Sequence, residues 1–397
     1  MKRLGLLAIV VVAALLPAAT ASAGHASARI RLARVPLQAA DFGAAGKSLA
    51  LNNSSGEIND IGLIVVCSST IGSNPTPGHC RETGPLGGFA LDYGDPYTGG
   101  TGVTEIRSSV TAYRSPGDAR SALEFGPEEA QFFAELFGTP FATETVKRAK
   151  PTPVGQRRFA VLTSKSVPGL NPIVSYDERV AAGRFVLDLT VTAGSASAAK
   201  LIAPHLVLLL HRRLQLMLDG QDLPGPPALL PRPTAGQALG GPDLSTLILQ
   251  PSDVGQSHAV NLIQLYVPGP PALSDYEMLL APAGTYTAVG QQIGWWPTAT
   301  EATYAEAYGG GSRYTFLGFY GGTDPNATAT PVDLSAVGDG AAGLIVTEDG
   351  QSTAYVRLTN GQAGETVVAS SNGTLQASDV QSLAQAAADR LDAGLGP

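Results

Sequence analysis

Ser197-Ala198-Ala199-Lys200 sets a nucleophile and a base three residues apart. One helical turn would bring the Lys200 amine beside the Ser197 hydroxyl, where it could accept the serine proton for attack on an acyl group. The S-D-N and K-T-G partners that such a serine needs are missing. A pattern with two fixed positions also arises readily by chance. Ser197 follows Gly194 where a helix needs a cap, which leaves Lys200 an ordinary solvated side chain. A secreted hydrolase using Ser197 and Lys200 stands as the alternative to a non-catalytic protein.

Other chemistries find less support. His25, His79, His205, His211 and His258 form no H-x-H, H-x-x-x-H or H-E-x-x-H pattern, which argues against a zinc hydrolase. There is no G-x-S-x-G elbow, and neither a Walker loop nor a G-x-G-x-x-G follows a strand. Asp92 and Asp95 lie in a Gly-rich stretch without the further oxygen ligands that calcium requires. The expectation is a protein with no catalytic residues, no cofactor and no metal.

Aromatic residues give the better lead. Trp295 and Trp296 are the chain's two tryptophans, and Tyr304, Tyr308, Tyr314 and Tyr320 follow closely. With residues 303–308 as a strand, Tyr304 and Tyr308 share a face, and Gly309-Gly310-Gly311 turns into a strand bearing Tyr314, Phe316 and Tyr320. Such a face on a concave sheet can bind sugars or apolar ligands. The same residue types also suit a core. Trp295, Trp296, Tyr304, Tyr308, Tyr314 and Tyr320 are the candidate ligand site, with a small molecule, a glycan or another envelope protein as partner.

The compartment follows from the N-terminus. Lys2 and Arg3 precede the uncharged apolar run 4–16, and Ala21-Ser22-Ala23 and Ala26-Ser27-Ala28 both fit an A-x-A cleavage site. Residues 1–28 therefore read as a cleaved export signal, its apolar run shorter than the roughly 20 residues of a membrane span. No cysteine precedes Cys67, so a lipid-attachment cysteine is missing. Elsewhere the longest apolar run, 206–210, stops at His211-Arg212-Arg213. A secreted protein with no stable span after cleavage is expected. Losing Lys2 and Arg3 takes two positive charges from the formal net charge of −8, leaving −10, which disfavours nucleic acid. Cys67 and Cys80, the only cysteines, are expected to pair outside the cytoplasm. Closing the loop between them would add about 2–3 kcal/mol. As a metal site with His79 they would be incomplete.

The elements that carry these residues are repeated. Leu37-Gln38-Ala39-Ala40-Asp41-Phe42-Gly43 returns as Leu249-Gln250-Pro251-Ser252-Asp253-Val254-Gly255. Val154-Gly155 answers Val337-Gly338, Gly183 answers Gly361, and Arg213-Leu214 answers Arg390-Leu391. Residues 219–243, with Pro224-Gly225-Pro226-Pro227 and Pro231-Arg232-Pro233, read as an extended linker between copies at 29–218 and 244–397. In the second copy, strands at 343–347, 352–358 and 365–370 are joined at Asp349-Gly350 and Asn360-Gly361, which suit tight hairpins. A helix capped by Ser378 follows, with Val380, Leu383, Ala384, Ala387 and Leu391 at helical spacing. The first copy repeats this with strands at 159–163, 173–180 and 185–191 and a helix ending near Leu218. Upstream, Val110, Tyr113 and Asp118 align with Phe316, Phe319 and Asp324, and the first copy inserts a helix at 127–136.

An opening Asp-x-Gly turn, a strand ending at Tyr113-Arg114 before Asp118-Ala119, a Val-Gly strand start, a hairpin around Gly and a closing helix with Arg-Leu form one order. It resembles secreted actinobacterial sensor-type domains, including the extracellular domain of a mycobacterial serine/threonine kinase and small lipoproteins of the PsbP/Mog1-like fold. The resemblance covers both copies. It implies a curved antiparallel sheet packed against helices, with a cleft for small ligands or envelope components. The expected fold class is α+β, with two tandem related domains of that kind, each closed by a C-terminal helix. The expected function is a non-catalytic, extracytoplasmic ligand-binding or sensor-like envelope protein, with a structural module that binds another envelope protein as a further alternative.

Overall fold

Strands that alternate apolar and polar residues build two antiparallel sheets, one in each half of the chain. The computed structural model describes residues 31–44, 48–52, 55–58, 86–123, 141–229, 241–254, 260–261, 274–280, 285–309, 328–338 and 340–395. The first sheet holds β1 (Gly56–Ile58), β2 (Gly87–Gly94), β3 (Val103–Ala112), β4 (Thr143–Ala149), β5 (Arg157–Ser166), β6 (Ile173–Ala182) and β7 (Phe185–Ala193). Their order across the sheet is β1-β2-β3-β7-β6-β5-β4. The second sheet holds β8 (Val260–Asn261), β9 (Ser274–Leu280), β10 (Ala288–Trp295), β11 (Thr328–Val332), β12 (Gly340–Glu348), β13 (Gln351–Asn360) and β14 (Ala363–Ser371). Its order, β8-β9-β10-β14-β13-β12-β11, is the same topology strand for strand.

Helices follow the same plan. α1 (Pro116–Ser121) comes after β3 and α2 (Ala196–Leu218) after β7, while α3 (Ala299–Gly309) comes after β10 and α4 (Ala377–Leu395) after β14. α2 buries Ala199, Ala203, Leu206, Leu210 and Leu214 in one core with Leu187, Leu189 and Val191 of β7. α4 buries Val380, Leu383, Ala384, Ala387 and Leu391 in the other core, at the spacing the sequence predicts. By length and composition α2 could cross a membrane, but its apolar stripe is spent on the sheet, leaving Leu201 and Leu208 exposed. Two cap assignments shift. Ser195, not Ser197, caps α2 by accepting the Ala198 N–H at 3.2 Å, and α4 starts ahead of Ser378, where Asp379 accepts the Gln376 N–H at 2.8 Å.

The two repeated sequence motifs of each copy meet in space. In both opening turns the Asp closes back on the Gln, Asp41 accepting the Gln38 N–H and Asp253 the Gln250 N–H, each at 2.7 Å. The same Asp takes the Arg of the closing helix. Arg213 donates to Asp41 at 3.2 Å and to the Val35 and Arg34 carbonyls at 3.0 and 2.7 Å. Arg390 grips Asp253 with two bonds of 2.8 and 2.9 Å. The start of each copy is thereby pinned to its end.

Strand boundaries correct the upstream alignment. Ala112 and Trp295, Pro116 and Ala299, Ala149 and Val332, and Arg157 and Gly340 bound equivalent elements at one constant offset. Val110, Tyr113 and Asp118 therefore answer Ile293, Trp296 and Glu301, while Phe316, Phe319 and Asp324 lie outside the described residues. Residues 127–136 also lie outside them, and the constant offset from β3 to β4 leaves no room for an insertion there. The earlier match rested on scattered aromatic and acidic residues, and strand pairing is the stronger constraint. The copies part later, at the turn between β5 and β6. Residues 167–172 make that connection in the first copy, whereas Asp349 and Gly350, with φ of 49° and 80°, make a tight turn in the second.

The Pro-rich segment after α2 begins along the first domain. Leu223 is buried in its core, and Arg34 and Gln38 bond to the Leu223 and Gly225 carbonyls at 3.1 and 2.7 Å.

Candidate functional site

Residues 299–309 form a helix where the sequence suggested a strand. Ala299, Ala302, Ala305 and Ala307 give it high helix propensity. Thr298 and Glu301 close a reciprocal capping box, with the Thr298 N–H on Glu301 Oε2 at 3.0 Å and the Glu301 N–H on Thr298 Oγ1 at 3.2 Å. Tyr304 and Tyr308 still share a face, now because residues four apart on a helix do. Their rings stack with centroids 5.8 Å apart.

That face is turned toward the other copy. Tyr97, Val167 and Ile173 of the first domain form one buried cluster with Trp296, Ala302, Tyr304, Ala305 and Tyr308 of the second. The Trp296 ring meets Tyr97 edge-on at 5.5 Å, a geometry worth about 0.5–1.5 kcal/mol beyond area burial. Asn171, in the longer β5–β6 connection, ties the seam. It accepts the Tyr308 hydroxyl at 2.6 Å on its carbonyl, gives its own N–H to Tyr304 Oη at 3.4 Å, and reaches the Gly99 carbonyl at 3.1 Å. Gly99 has a φ of +69°, and a Cβ there would lie 2.7 Å from the Tyr304 ring, so only glycine fits. Beside this cluster, Phe141 of the first domain packs on Leu344, Val346, Tyr355 and Val368 of the second sheet, with the Arg357 guanidinium 4.7 Å above its ring.

The six candidate residues thus separate. Trp296, Tyr304 and Tyr308 converge in the seam. Trp295, the last residue of β10, points the other way and packs against the second domain's own core, the alternation of the strand carrying on to Trp296. Tyr314 and Tyr320 lie outside the described residues, as do Cys67, Cys80 and the leader 1–28. Ser197 is exposed on α2 with its hydroxyl 3.1 Å from Ser195 Oγ, and Lys200 is exposed as well. Among the described residues no group of three His, Cys, Asp or Glu side chains is placed to hold a metal.

Sequence reasoning did not single out Tyr97, Asn171, Phe141 or Arg357, because the seam is a property of two copies docked together. It passed over Asp95 after testing it only for calcium. Asp95 follows β2 and is buried, with Oδ1 taking the Tyr97 N–H at 2.6 Å. Among the described residues, its buried Oδ2 has no donor and the buried Trp296 Nε1 has no acceptor. On the first sheet, the face away from α2 is apolar beneath α1 but carries a polar set across β3, β7 and β6. Thr192 donates to Glu105 at 2.6 Å and Thr190 to Asp177 at 2.6 Å. Burial, with Asp92 adding, pushes the Glu105 carboxyl up to about 8.

No family model matches the chain, and neither does any curated protein. Among solved structures, the extracellular domain of PknH from Mycobacterium tuberculosis is similar over 46% of this chain and 95% of its own, at 14% identity and a TM-score of 0.28. The likeness is distant in sequence and in superposition.

Proposed function

We propose that the chain is a non-catalytic, extracytoplasmic, sensor-like protein of the cell envelope that takes a small polar ligand, such as a glycan, in the seam between its two domains. The observation that carries this reading is the Trp296 indole N–H, held without an acceptor among aromatic rings. Buried donors are nearly always satisfied, and a hydroxyl-rich ligand stacking on the rings would supply an acceptor. The aromatic side chains would give the stacking surface, and Tyr304 and Tyr308 their phenol groups. On this reading Trp295 supports the wall from the core side. Ser197 and Lys200 are exposed on α2, and the Ser197 hydroxyl lies 3.1 Å from Ser195 Oγ rather than on a base.

A panel of envelope glycans titrated against the full chain tests the idea through tryptophan emission. Trp296 should report binding and Trp295 should not, so Trp295→Phe keeps the response and Trp296→Phe loses it. A panel that leaves emission unchanged in the wild type, or a response that survives Trp296→Phe, removes the seam as the site.

A further inference from the structure

We infer that Asp95 and Glu301 form a proton-dependent latch between the two domains, closed while the two carboxyl groups share a proton and released when both are ionised. The latch rests on the seam's geometry and does not depend on whether the seam takes a ligand.

The argument begins with position. Asp95 belongs to the first domain and Glu301 to the first turn of α3 in the second, and their carboxyl groups stand within hydrogen-bonding reach of each other. Asp95 is only 7% exposed. Tyr97 and Gly99, which follow it directly, are packed on Trp296 and Tyr304, so the loop cannot withdraw Asp95 without parting the seam.

The bonding already present decides which oxygens face each other. Asp95 Oδ1 is occupied by the Tyr97 N–H, and Oδ2 is left with no donor. Glu301 Oε2 is occupied by the Thr298 N–H of the capping box. A carboxylate can only accept, so two ionised groups here would set acceptor against acceptor at a buried aspartate and a half-buried glutamate. One shared proton turns the same contact into a donor–acceptor pair, as in other close carboxyl pairs. The charged groups that face Asp95 are Glu301 from α3 and Asp92 from β2, both acidic. Burial of Asp95 places the shared proton on its carboxyl.

The direction of the pH effect follows. Burial, reinforced by Glu301 and Asp92, pushes the Asp95 carboxyl up to about 8 although the Tyr97 N–H pulls the other way. The domains are therefore held together at acidic and neutral pH and loosen as pH rises through that value. The equivalent capping position in the first copy, Asp118, lies on α1 beside its own sheet.

Small-angle scattering of the full chain from pH 5 to pH 10 reads the distance between domains directly. The expected result is an increase in maximum dimension with a midpoint near pH 8. Asp95→Asn supplies a permanent donor to Glu301 and should abolish the transition, leaving the closed dimensions throughout. Glu301→Gln keeps the capping box and should do the same, which covers the case where Asp95→Asn fails to fold. Glu365→Gln, which alters a buried acid in the second core, should leave the transition where it is. The proposal is overturned if the wild type keeps its closed dimensions to pH 10, or if both seam variants open at the wild-type pH. The measurement uses no ligand, so an unresponsive glycan panel would leave it standing, and a pH-independent seam would leave glycan binding open.

Discussion

At the scale of single residues, the Arg–Asp pairs that pin each copy differ in what they leave behind when broken. Arg213 is buried, and its guanidinium serves Asp41 and two backbone carbonyls together. Arg213→Ala should lower stability by about 3–5 kcal/mol in chemical denaturation, because it strands a carboxylate and two carbonyls out of water. Arg390 is more exposed, and Arg390→Ala should cost only about 1–3 kcal/mol. Burial opposes ionisation of Asp253, but its bonds to Arg390 outweigh that and hold the carboxyl below its ordinary value. A second residue-scale effect concerns Glu365, which stands in the second core at the position Leu187 holds in the first. Burial, with Glu306 adding, pushes its carboxyl from 4.5 up to about 8 against the opposing bond from Gln291. The native state holds a proton that the unfolded chain has lost, so stability falls as pH rises between those values. Glu365→Gln should flatten that slope in denaturation curves measured from pH 5 to pH 8. Cys67 and Cys80 belong at this scale too. Thiol titration of the secreted, unreduced protein should find neither free, and two titratable thiols would dispose of the bridge.

At the scale of elements, the first copy docks through its β5–β6 connection, its β2–β3 loop and Phe141, and the second through α3 and the face of its sheet. Trp296→Ala should cost about 3–5 kcal/mol, as for a buried aromatic. Combined with Tyr97→Ala it should cost less than the sum of the two single changes, because both remove one ring contact. Additive costs in that cycle would mean the rings do not depend on each other. Much at this scale was legible in the sequence. The hairpins at Gly183 and Gly361, the closing helices and their Arg–Leu pairs follow from turn chemistry and apolar spacing. The helical state of Tyr304 and Tyr308 was also written there, in the run of alanines and in Thr298 with Glu301, but aromatic content drew the reading toward a strand. The seam itself could not be read. No periodicity within one copy says that residues 167–172 will lie against a helix more than a hundred residues away, and Trp295 and Trp296 look alike until a strand sends them to opposite sides.

At the scale of the molecule, the two copies are alike in topology but meet through unlike surfaces, the first giving loops and the second a helix and a sheet face. Each has its own core and its own Arg–Asp closure, so residues 241–397 alone should unfold cooperatively in calorimetry. Their melting temperature should lie below that of the second domain in the full chain, since Trp296, Tyr304, Tyr308 and Tyr355 lose their cover. A fragment with no cooperative transition would mean that the second copy depends on the first to fold.

A contact between unlike surfaces of like units carries no limit on its own number, because each added unit offers the surface the next one needs. The two copies differ at both of the surfaces such a series would use. Asp177 and Thr190, hydrogen-bonded to each other, hold in the first copy the paired positions that Tyr355 and Val368 hold in the second, so the centre of the face that receives Phe141 is polar there. The two-residue turn at Asp349-Gly350 gives the second copy no arm with which to reach a further neighbour. One polar pair and one shortened turn thus keep the two copies from being interchangeable at the seam.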